Sequence, residues 1–404
     1  MKVSFKGVII LLFLFSTGAA AQNSDSAFMF FGNQFDKQWN PQQLQIIGQA
    51  NAGSNTANSV MFSDFLFRSG FSPSGQEIFL LTSSSKANLN LNFGLNAVYK
   101  LDSNWGVYVK NARQSYLTMG NDLSKMLLFG NARYAGYSVS SSNSAILQYA
   151  TSTVGVSHNT VNNKKWQLKS SLGISALYNY SSYSADNMSI LTAKDGAYID
   201  VSVANGKWTT NKMSDVGYGI DLDLDVCYVP NAKNSFLIKL SDLNVYFTPN
   251  NTENSIDSSF RFEGIDYVFD SENSNVRFSA DSAFNDIINR SGENKKVVFL
   301  PNTISVEWVY ELNKSNKLGL YAQTVGFGRF GNYVGASYYT DVKENIRLKN
   351  TVGIGDFTGF QWNEAVELRL NSTNIFVSAI GLNSLLVPSD SHSYGIALGA
   401  TKLF

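Results

Sequence analysis

Hydrophobic and polar residues alternate along this chain in one segment after another, from about residue 86 to Phe404. The segment 86–100 shows the pattern most clearly: its odd-numbered positions from Ala87 to Tyr99 are apolar, and most of its even-numbered positions are asparagine or lysine. Because successive side chains of a β-strand point to opposite faces, this segment is expected to be a strand with one apolar and one polar face. About 9 to 11 residues of tilted strand cross a bilayer, and a closed barrel satisfies all the backbone hydrogen bonds of a sheet there. The pattern predicts an all-β fold, a transmembrane antiparallel up-and-down β-barrel.

The alternation predicts fourteen strands, an even number as in single-chain bacterial barrels. They cover residues 43–53, 86–100, 105–116, 144–157, 166–180, 216–229, 235–247, 302–312, 317–327, 332–341, 346–355, 360–370, 375–384 and 393–404. Every second connection is short and rich in the Asn, Asp, Lys and Ser that suit turns. Four of the others are long, at 54–85, 117–143, 181–215 and 248–301. Since such barrels have short periplasmic turns and longer outer loops, the unit 43–404 is expected to have both ends on the periplasmic side.

Most strands have a clear lipid-facing set, although one carboxylate interrupts it. In the strand 166–180 this set begins at Trp166 and is expected to end at Tyr180. In the strand 360–370, Glu364 falls in the lipid-facing set. Either a bulge shifts that strand, or its two faces are assigned the wrong way round.

The first 42 residues predict export and a plug. Residues 1–21 have a basic start, an apolar stretch and three alanines, which together are typical of a cleaved secretory signal peptide. The segment 22–42 is then expected to form a hatch or plug in the barrel, or else a periplasmic tail packed on its rim. Export without a long apolar helix leaves the periplasm, the outer membrane or the medium. The barrel pattern then predicts the bacterial outer membrane, with membrane lipid and the barrel assembly machinery as partners.

Composition excludes several function classes. The chain has 31 basic and 31 acidic residues, so it lacks the positive charge of a nucleic-acid binder. The 13% of aromatic residues suit girdles at the two membrane interfaces. With Cys227 as the single cysteine, and His158 and His392 as the two histidines on opposite ends of the predicted barrel, neither a cysteine or histidine metal site nor a histidine-based catalytic site is expected. The sequence therefore predicts no enzyme activity and no cofactor.

The sharpest polar pattern is a row of aspartates on one predicted strand. Asp221, Asp223 and Asp225 alternate with apolar residues, which places all three carboxylates on the lumen face about 7 Å apart. Such a row can bind cations or a basic group of a solute. However, the turn at 230–234 aligns Asp225 with Lys239 across the hairpin, and opposite charges on facing positions favour a structural salt-bridge ladder. The second interpretation is the favoured one.

A second polar set is expected on the lumen face of the two strands 346–355 and 360–370. It consists of Arg347, Lys349, Glu367 and Arg369. Its net positive charge can attract an anion, whereas pairing with Glu367 neutralises part of it. Because mixed charges commonly line a water-filled lumen, a structural role is favoured here as well.

Several features together resemble a known group of barrels. They are the signal peptide, Asn40 and Pro41 before the first strand, the run Gly219-Ile220-Asp221-Leu222-Asp223, and the final Phe404. The combination is similar to an uncharacterised outer-membrane β-barrel family of the Bacteroidota, a domain of unknown function that resembles the long-chain fatty-acid transporter barrels in plan. The resemblance covers nearly the whole mature chain.

This resemblance implies a barrel whose amino-terminal hatch plugs the lumen and moves to admit a hydrophobic ligand. Asn40 and Pro41 match the hatch motif, whereas Gln42 stands where those barrels have alanine. Phe404 resembles the last residue of the carboxy-terminal assembly signal of outer-membrane barrels.

Two functions remain in competition. The first is a gated channel or transporter for a small solute, and one interpretation takes this solute to be hydrophobic. The alternative is a barrel scaffold that does not transport and that anchors a secretion, motility or surface-attachment partner, either a surface or a periplasmic protein. Fourteen strands enclose a wider lumen than the eight whose side chains fill their own interior, and this favours transport.

Overall fold

The computed structural model describes residues 42–56, 80, 86–102, 104–162, 165–211, 215–262, 268–269, 276–277, 289–326, 331–355, 359–383 and 392–404. The strands are β1 Gln43–Ser54, β2 Lys86–Lys100, β3 Trp105–Gly120, β4 Ser138–Asn162, β5 Trp166–Thr192, β6 Ile199–Asn211, β7 Gly217–Asn231, β8 Asn234–Phe262, β9 Val268–Phe269, β10 Val276–Arg277, β11 Asn289–Val298, β12 Thr303–Glu311, β13 Asn316–Val325, β14 Asn332–Lys343, β15 Ile346–Gly355, β16 Gly359–Leu370, β17 Thr373–Ile380 and β18 Ser393–Leu403. One α-helix, α1 (Asn121–Phe129), and a short 3-10 helix (Ala132–Tyr134) lie between β3 and β4. The expected signal peptide and the hatch candidates Asn40 and Pro41 lie outside the described residues.

Fourteen of these strands form a closed antiparallel barrel, which confirms the predicted fold. In order around the wall they are β1, β2, β3, β4, β5, β7, β8 and β12 to β18. β18 pairs with β1, for example Ala397 with Gln49, and this pairing closes the ring. Each of the fourteen predicted strands coincides with one of them. We refer to the two ends of the barrel as the short-turn end and the long-loop end.

The outward face carries the apolar band expected for a membrane-spanning barrel. On β7 the outward set runs from Tyr228 at the short-turn end through Leu222 and Ile220 to Tyr218. These positions span about 33 Å of strand at ~3.3 Å per residue, and a tilted strand of this length covers the roughly 25 Å height of an outer-membrane apolar band.

Aromatic side chains form a belt around part of the short-turn end. Tyr228 stacks on Trp166 at 4.2 Å between ring centroids and on Phe236 at 6.4 Å. Phe236 in turn stacks on Trp308 at 6.5 Å. Four consecutive barrel strands thus contribute to one continuous aromatic row, as the aromatic girdles of such barrels require.

The sheet continues beyond the apolar band on one side of the barrel. β5 and β8 extend into the segments 181–215 and 248–301, which the sequence pattern predicts as loops. There β6 pairs with the extended parts of β5 and β8, and β11 pairs with β8. We call this the extended wall. Its residues lack a regular alternation of apolar and polar side chains, so the alternation does not predict these strands.

A bulge in β5 corrects the prediction for Tyr180. Asn179 adopts a left-handed conformation with φ of 53°, and the pairing of β4 with β5 shifts at this point. Because one extra residue inverts the alternation, Tyr180 turns into the lumen, where it is 8% exposed, and is not part of the lipid-facing set.

No such irregularity affects Glu364. The pairing of β16 with β15 is continuous and places Glu364 opposite Asn350, with Trp362 and Val366 on the same outward face. Neither a bulge nor a wrong assignment of faces is present in this part of the wall, so a carboxylate lies on the membrane-facing surface.

The helix α1 packs at the long-loop end. Its Leu123 and Met126 are buried against Val139 of β4, with Met188 and Ile190 of β5 beside them. Among the described residues, no helix has the length and hydropathy needed to cross a membrane.

Candidate functional site in the barrel lumen

The inward faces of β3, β7 and β8 meet around one lysine. We call Lys110, Asp221, Asp223 and Asp242 the lysine–aspartate cluster. The Lys110 ammonium lies 3.1 Å from a carboxylate oxygen of Asp221 and 3.3 Å from Asp223. It also contacts Asp242 directly. Lys110 belongs to β3 and its partners to β7 and β8, so its side chain joins strands that are not neighbours in the wall.

A bulge in β8 brings the third carboxylate into this cluster. The pairing of β7 with β8 shifts between Leu222 and Leu224, and Asp242 adopts φ of 61° there. Its backbone N–H donates a hydrogen bond of 2.8 Å to Asp223. A bulge of this kind re-aims a side chain, and here it adds Asp242 to the inward row that β7 supplies.

Asp225 lies beside the cluster and has basic neighbours on both sides. It pairs with Lys239 of β8 in the register, as the turn length predicts. On β5 the Lys169 ammonium lies 3.7 Å from its carboxylate. Opposite charges therefore face one another across all three strands at this level, as in a salt-bridge ladder.

Ion pairs also occupy the lumen face of the opposite wall. Glu307 of β12 forms an ion pair of 3.2 Å with Lys349 and accepts a hydrogen bond from the Tyr339 hydroxyl. Nearer the short-turn end, Glu367 lies 3.6 Å from Arg347 and 3.4 Å from Arg369. A further ion pair of 2.8 Å joins Arg347 to Asp341. Acidic and basic groups are equal in number in this set, whereas three carboxylates meet one ammonium in the lysine–aspartate cluster.

Towards the long-loop end, the lumen is apolar and aromatic. A contiguous group of inward side chains, which we call the aromatic layer, comprises Tyr116, Leu147, Tyr149, Leu177, Tyr180, Tyr246, Val298, Leu300 and Val325. They come from β3, β4, β5, β8, β11 and β13 and from the chain just after β11. Five of the fourteen wall strands therefore contribute to the layer, together with β11.

The tyrosines of this layer turn their hydroxyls toward polar side chains. Tyr116 and Tyr149 both donate to the amide oxygen of Gln114, the latter at 2.8 Å. The hydroxyl of Tyr246 lies 2.7 Å from that of Ser175. Since buried hydroxyls are costly without a partner, these bonds allow the rings to present apolar surface to one another.

The structure places the eight polar candidates from the sequence on the lumen face, in two groups, whereas the assembly-signal candidate Phe404 is exposed and lies against Tyr99. Asp221, Asp223, Asp225 and Lys239 lie at or next to the lysine–aspartate cluster, and Arg347, Lys349, Glu367 and Arg369 lie on the opposite wall. Whether either group binds a solute stays a prediction.

Sequence reasoning missed five charged partners of these residues, namely Lys110, Lys169, Asp242, Glu307 and Asp341. Lys110 and Glu307 alternate with outward valines and were detectable as inward charges from their parity. Asp242 breaks the alternation, because Ser241 and Asp242 stand together between two leucines. Two adjacent polar residues inside an otherwise alternating strand are the signal of a bulge.

The two histidines and the cysteine lie far from a common site. His158 stacks near Trp105 at 4.4 Å at the short-turn end, whereas the carbonyl of His392 accepts the backbone N–H of Ser54 at the long-loop end. Cys227 is buried beside Leu237 in the lumen.

Comparison with known proteins finds similar barrels only among solved structures. No family model and no curated protein matches the chain. The P. putida toluene transporter TodX is 8% identical, with 93% of this chain and 95% of that chain covered and a TM-score of 0.44. The Ralstonia pickettii toluene transporter TbuX is 7% identical, with 96% of both chains covered and a TM-score of 0.46. A Pseudomonas aeruginosa FadL homologue is 8% identical, with 89% and 90% covered and a TM-score of 0.44. At such identities and TM-scores these similarities carry no inference about activity.

Proposed function

We propose that this protein is an outer-membrane channel that admits small hydrophobic solutes through a gated lumen. The observation that carries the proposal is the aromatic layer. A water-filled barrel lumen is polar, whereas this lumen holds a contiguous cluster of buried apolar and aromatic side chains from six strands toward the long-loop end. Small-molecule sites are typically apolar and aromatic, with a few placed polar groups.

The lysine–aspartate cluster serves as the closed gate of this channel. It lies on the short-turn side of the aromatic layer. Ser175, which contacts Tyr246 of that layer, pairs with Gly219 of β7, and Asp221 lies two residues further toward the short-turn end. Its ion pairs join β3 to β7 and β8 through the lumen. A hydrophobic solute held in the aromatic layer therefore meets charged groups before it can continue. The segment 22–42 is proposed as the movable hatch that completes the closure.

Entry of N-phenyl-1-naphthylamine into whole cells tests the proposal. This apolar dye fluoresces once it passes the outer leaflet, so its entry rate reports passage of a small hydrophobic compound. Cells that display the barrel should take up the dye several-fold faster than cells without it. The variant Leu177→Asp places a charge in the aromatic layer and should abolish the difference, while Ile174→Val, an outward change three residues away, should preserve it. Equal rates in all three strains, with folded barrel at the surface, would contradict the proposal.

A scaffold function is the second candidate, and the extended wall favours it. This wall continues β5, β6, β8 and β11 beyond the apolar band and offers a broad sheet to a surface partner. Planar-bilayer recordings separate the two candidates. For a gated channel, removal of residues 22–42 should create conductance that the complete barrel lacks; for a scaffold, neither form should conduct although both are folded.

A further inference from the structure

The lysine–aspartate cluster has an excess of negative charge that its own lysine does not balance. One ligand oxygen each from Asp221, Asp223 and Asp242 lies within 4.8 Å of the others. The single ammonium of Lys110 contacts all three carboxylates. Three carboxylates grouped this closely offer oxygen ligands that can hold a hard cation in place of the ammonium.

A buried hydroxyl next to the cluster is a second and independent indication of a ligand. Tyr108 is 5% exposed, and its hydroxyl has no hydrogen-bond partner. A Cβ atom added to Gly173 would lie 2.6 Å from this hydroxyl, and Gly173 is the direct β-sheet partner of Asp221. The hydroxyl is therefore held beside Asp221.

One carboxylate oxygen of Asp221 is likewise buried without a hydrogen-bond partner among the described residues. Its Oδ2 atom accepts from Lys110, but its Oδ1 atom is buried without a partner in a side chain that is only 1% exposed. Burial of an unsatisfied polar atom costs about 1–3 kcal/mol. A ligand that coordinates Asp221 and the Tyr108 hydroxyl together removes both deficits.

We propose that Asp221, Asp223 and Asp242 form a binding site for a divalent cation, with the Tyr108 hydroxyl as an additional oxygen ligand. All of these donors are oxygens, which is the set that hard cations prefer and that zinc or copper sites lack. Calcium fits better than magnesium, because calcium accepts irregular arrangements of six to eight oxygens and magnesium demands a regular octahedron.

Lys110 acts as a tethered competitor for this cation. Its ammonium occupies the same three carboxylates that the metal ion needs, so the ion must displace it. Loss of the ammonium should therefore tighten cation binding, whereas a purely structural ion-pair cluster has no such property. Displacement would also release the connection that Lys110 makes between β3 and β7. The cation site stands whether or not the barrel transports a hydrophobic solute.

Calorimetric titration of the refolded barrel with calcium chloride tests the site. The unchanged chain should bind one calcium ion per barrel. Lys110→Met should bind it at least 10-fold more tightly, and the double variant Asp221→Asn with Asp223→Asn should not bind it. Glu367→Gln, which alters the charged set on the opposite wall, should leave the affinity unchanged.

Terbium luminescence gives a second readout that does not depend on heat. Nearby tyrosines transfer excitation energy to terbium, so Tyr108→Phe should both weaken binding and dim the emission. Folding of each variant is verified by the heat-dependent shift of barrels in gels, and Lys110→Gln replaces Lys110→Met if the latter does not fold. Absence of calcium and terbium binding in both the unchanged chain and a folded Lys110 variant would overturn the proposal. Binding that the Asp221 and Asp223 substitutions do not affect would overturn it equally.

Discussion

At the scale of single residues, three short turns share one device. A side-chain oxygen of Asp102 accepts hydrogen bonds from the backbone N–H groups of Asn104 and Trp105, at 2.7 and 2.8 Å. Asn231 and Asn313 accept from the residues two and three positions later in the same way. These side-chain oxygens accept hydrogen bonds from turn N–H groups that lie beyond the last pair of the sheet. The Asp and Asn residues that identify turns in the sequence are therefore the atoms that build them.

Asp102 should make this turn sensitive to pH. The backbone hydrogen bonds from Asn104 and Trp105 lower the pKa of Asp102 below its ordinary value. A carboxyl whose pKa is lower in the folded state stabilises the fold above its unfolded pKa of about 3.9, and this contribution disappears as the pH falls through the folded pKa. In urea unfolding, Asp102→Ala should be less stable than the unchanged chain at pH 7, and the gap should shrink by pH 3. Asp102→Asn should keep the turn and show no such trend, because Asn231 and Asn313 hold their turns without charge.

Gly173 should be intolerant of a side chain. A Cβ atom at this position would lie 2.6 Å from both the Thr153 methyl group and the Tyr108 hydroxyl. Overpacking of this kind costs about 1–3 kcal/mol, so Gly173→Ala should lower the free energy of unfolding by that amount. Gly48→Ala is the matched control, because the nearest atom to its added Cβ is at 3.6 Å, an ordinary contact. Equal stability of the two variants would show that the side chains around Gly173 shift to accommodate the added methyl group.

At the scale of strands, the alternation predicts much of the wall for a physical reason. Lipid on one side and a polar lumen on the other impose a period of two, and β2 obeys it from end to end. The prediction fails where this environment ends or the period breaks. Beyond the apolar band, β5 and β8 continue without the two contrasting environments that impose the period, and within the band bulges at Asn179 and Asp242 add residues. The same breaks explain why the lumen site was only half predicted: Asp221 and Asp223 follow the period, whereas Asp242 enters through a bulge.

Glu364 marks a strand where the sequence pattern conflicts with an intact register. Its carboxylate faces the membrane midway along β16, between Phe360 and Leu370 on the same outward face. Charged residues on the lipid face of such barrels cost up to about 2–4 kcal/mol at the midplane, and acidic ones cost less. Glu364→Leu should therefore raise the free energy of unfolding by about 1 kcal/mol in lipid vesicles.

The neighbouring glutamate supplies the control for this prediction. Glu367 belongs to the same strand but faces the lumen, where it pairs with Arg347 and Arg369. Glu367→Leu should destabilise the barrel, since it leaves two guanidinium groups with one carboxylate fewer. If both leucine variants change stability in the same direction, the assignment of faces on β16 is wrong.

At the scale of the whole molecule, the barrel is markedly uneven in height. β5 continues from Tyr178 at the edge of the apolar band to Thr192, about 45 Å of strand at ~3.3 Å per residue. From β12 to β18, by contrast, the strands are 8 to 12 residues long. The extended wall is held by sheet hydrogen bonds, by the contacts of Met188 and Ile190 with α1, and by ion pairs such as that of Arg261 with Asp200.

Hydrogen exchange should distinguish the two parts of β5. Amides at 182–192 are bonded to β4 and β6 in water, whereas those at 168–176 are bonded to β4 and β7 within the apolar band. Because local opening requires access of water, the upper amides should exchange at least 10-fold faster. Mass spectrometry of peptides from the barrel in lipid discs measures both sets in one sample. Uniform protection along β5 would show that the wall is as rigid as the barrel beneath it.

The unevenness of the wall also gives the entrance a direction. A molecule that approaches the long-loop end along the membrane surface is blocked on the side of β4 to β8 and β11, because the sheet extends beyond the rest of the barrel there. On the side of β12 to β17, the strands that the structure describes are 8 to 12 residues long and end lower. In a crowded membrane, the protein thus has a front and a back, although a barrel on its own has neither.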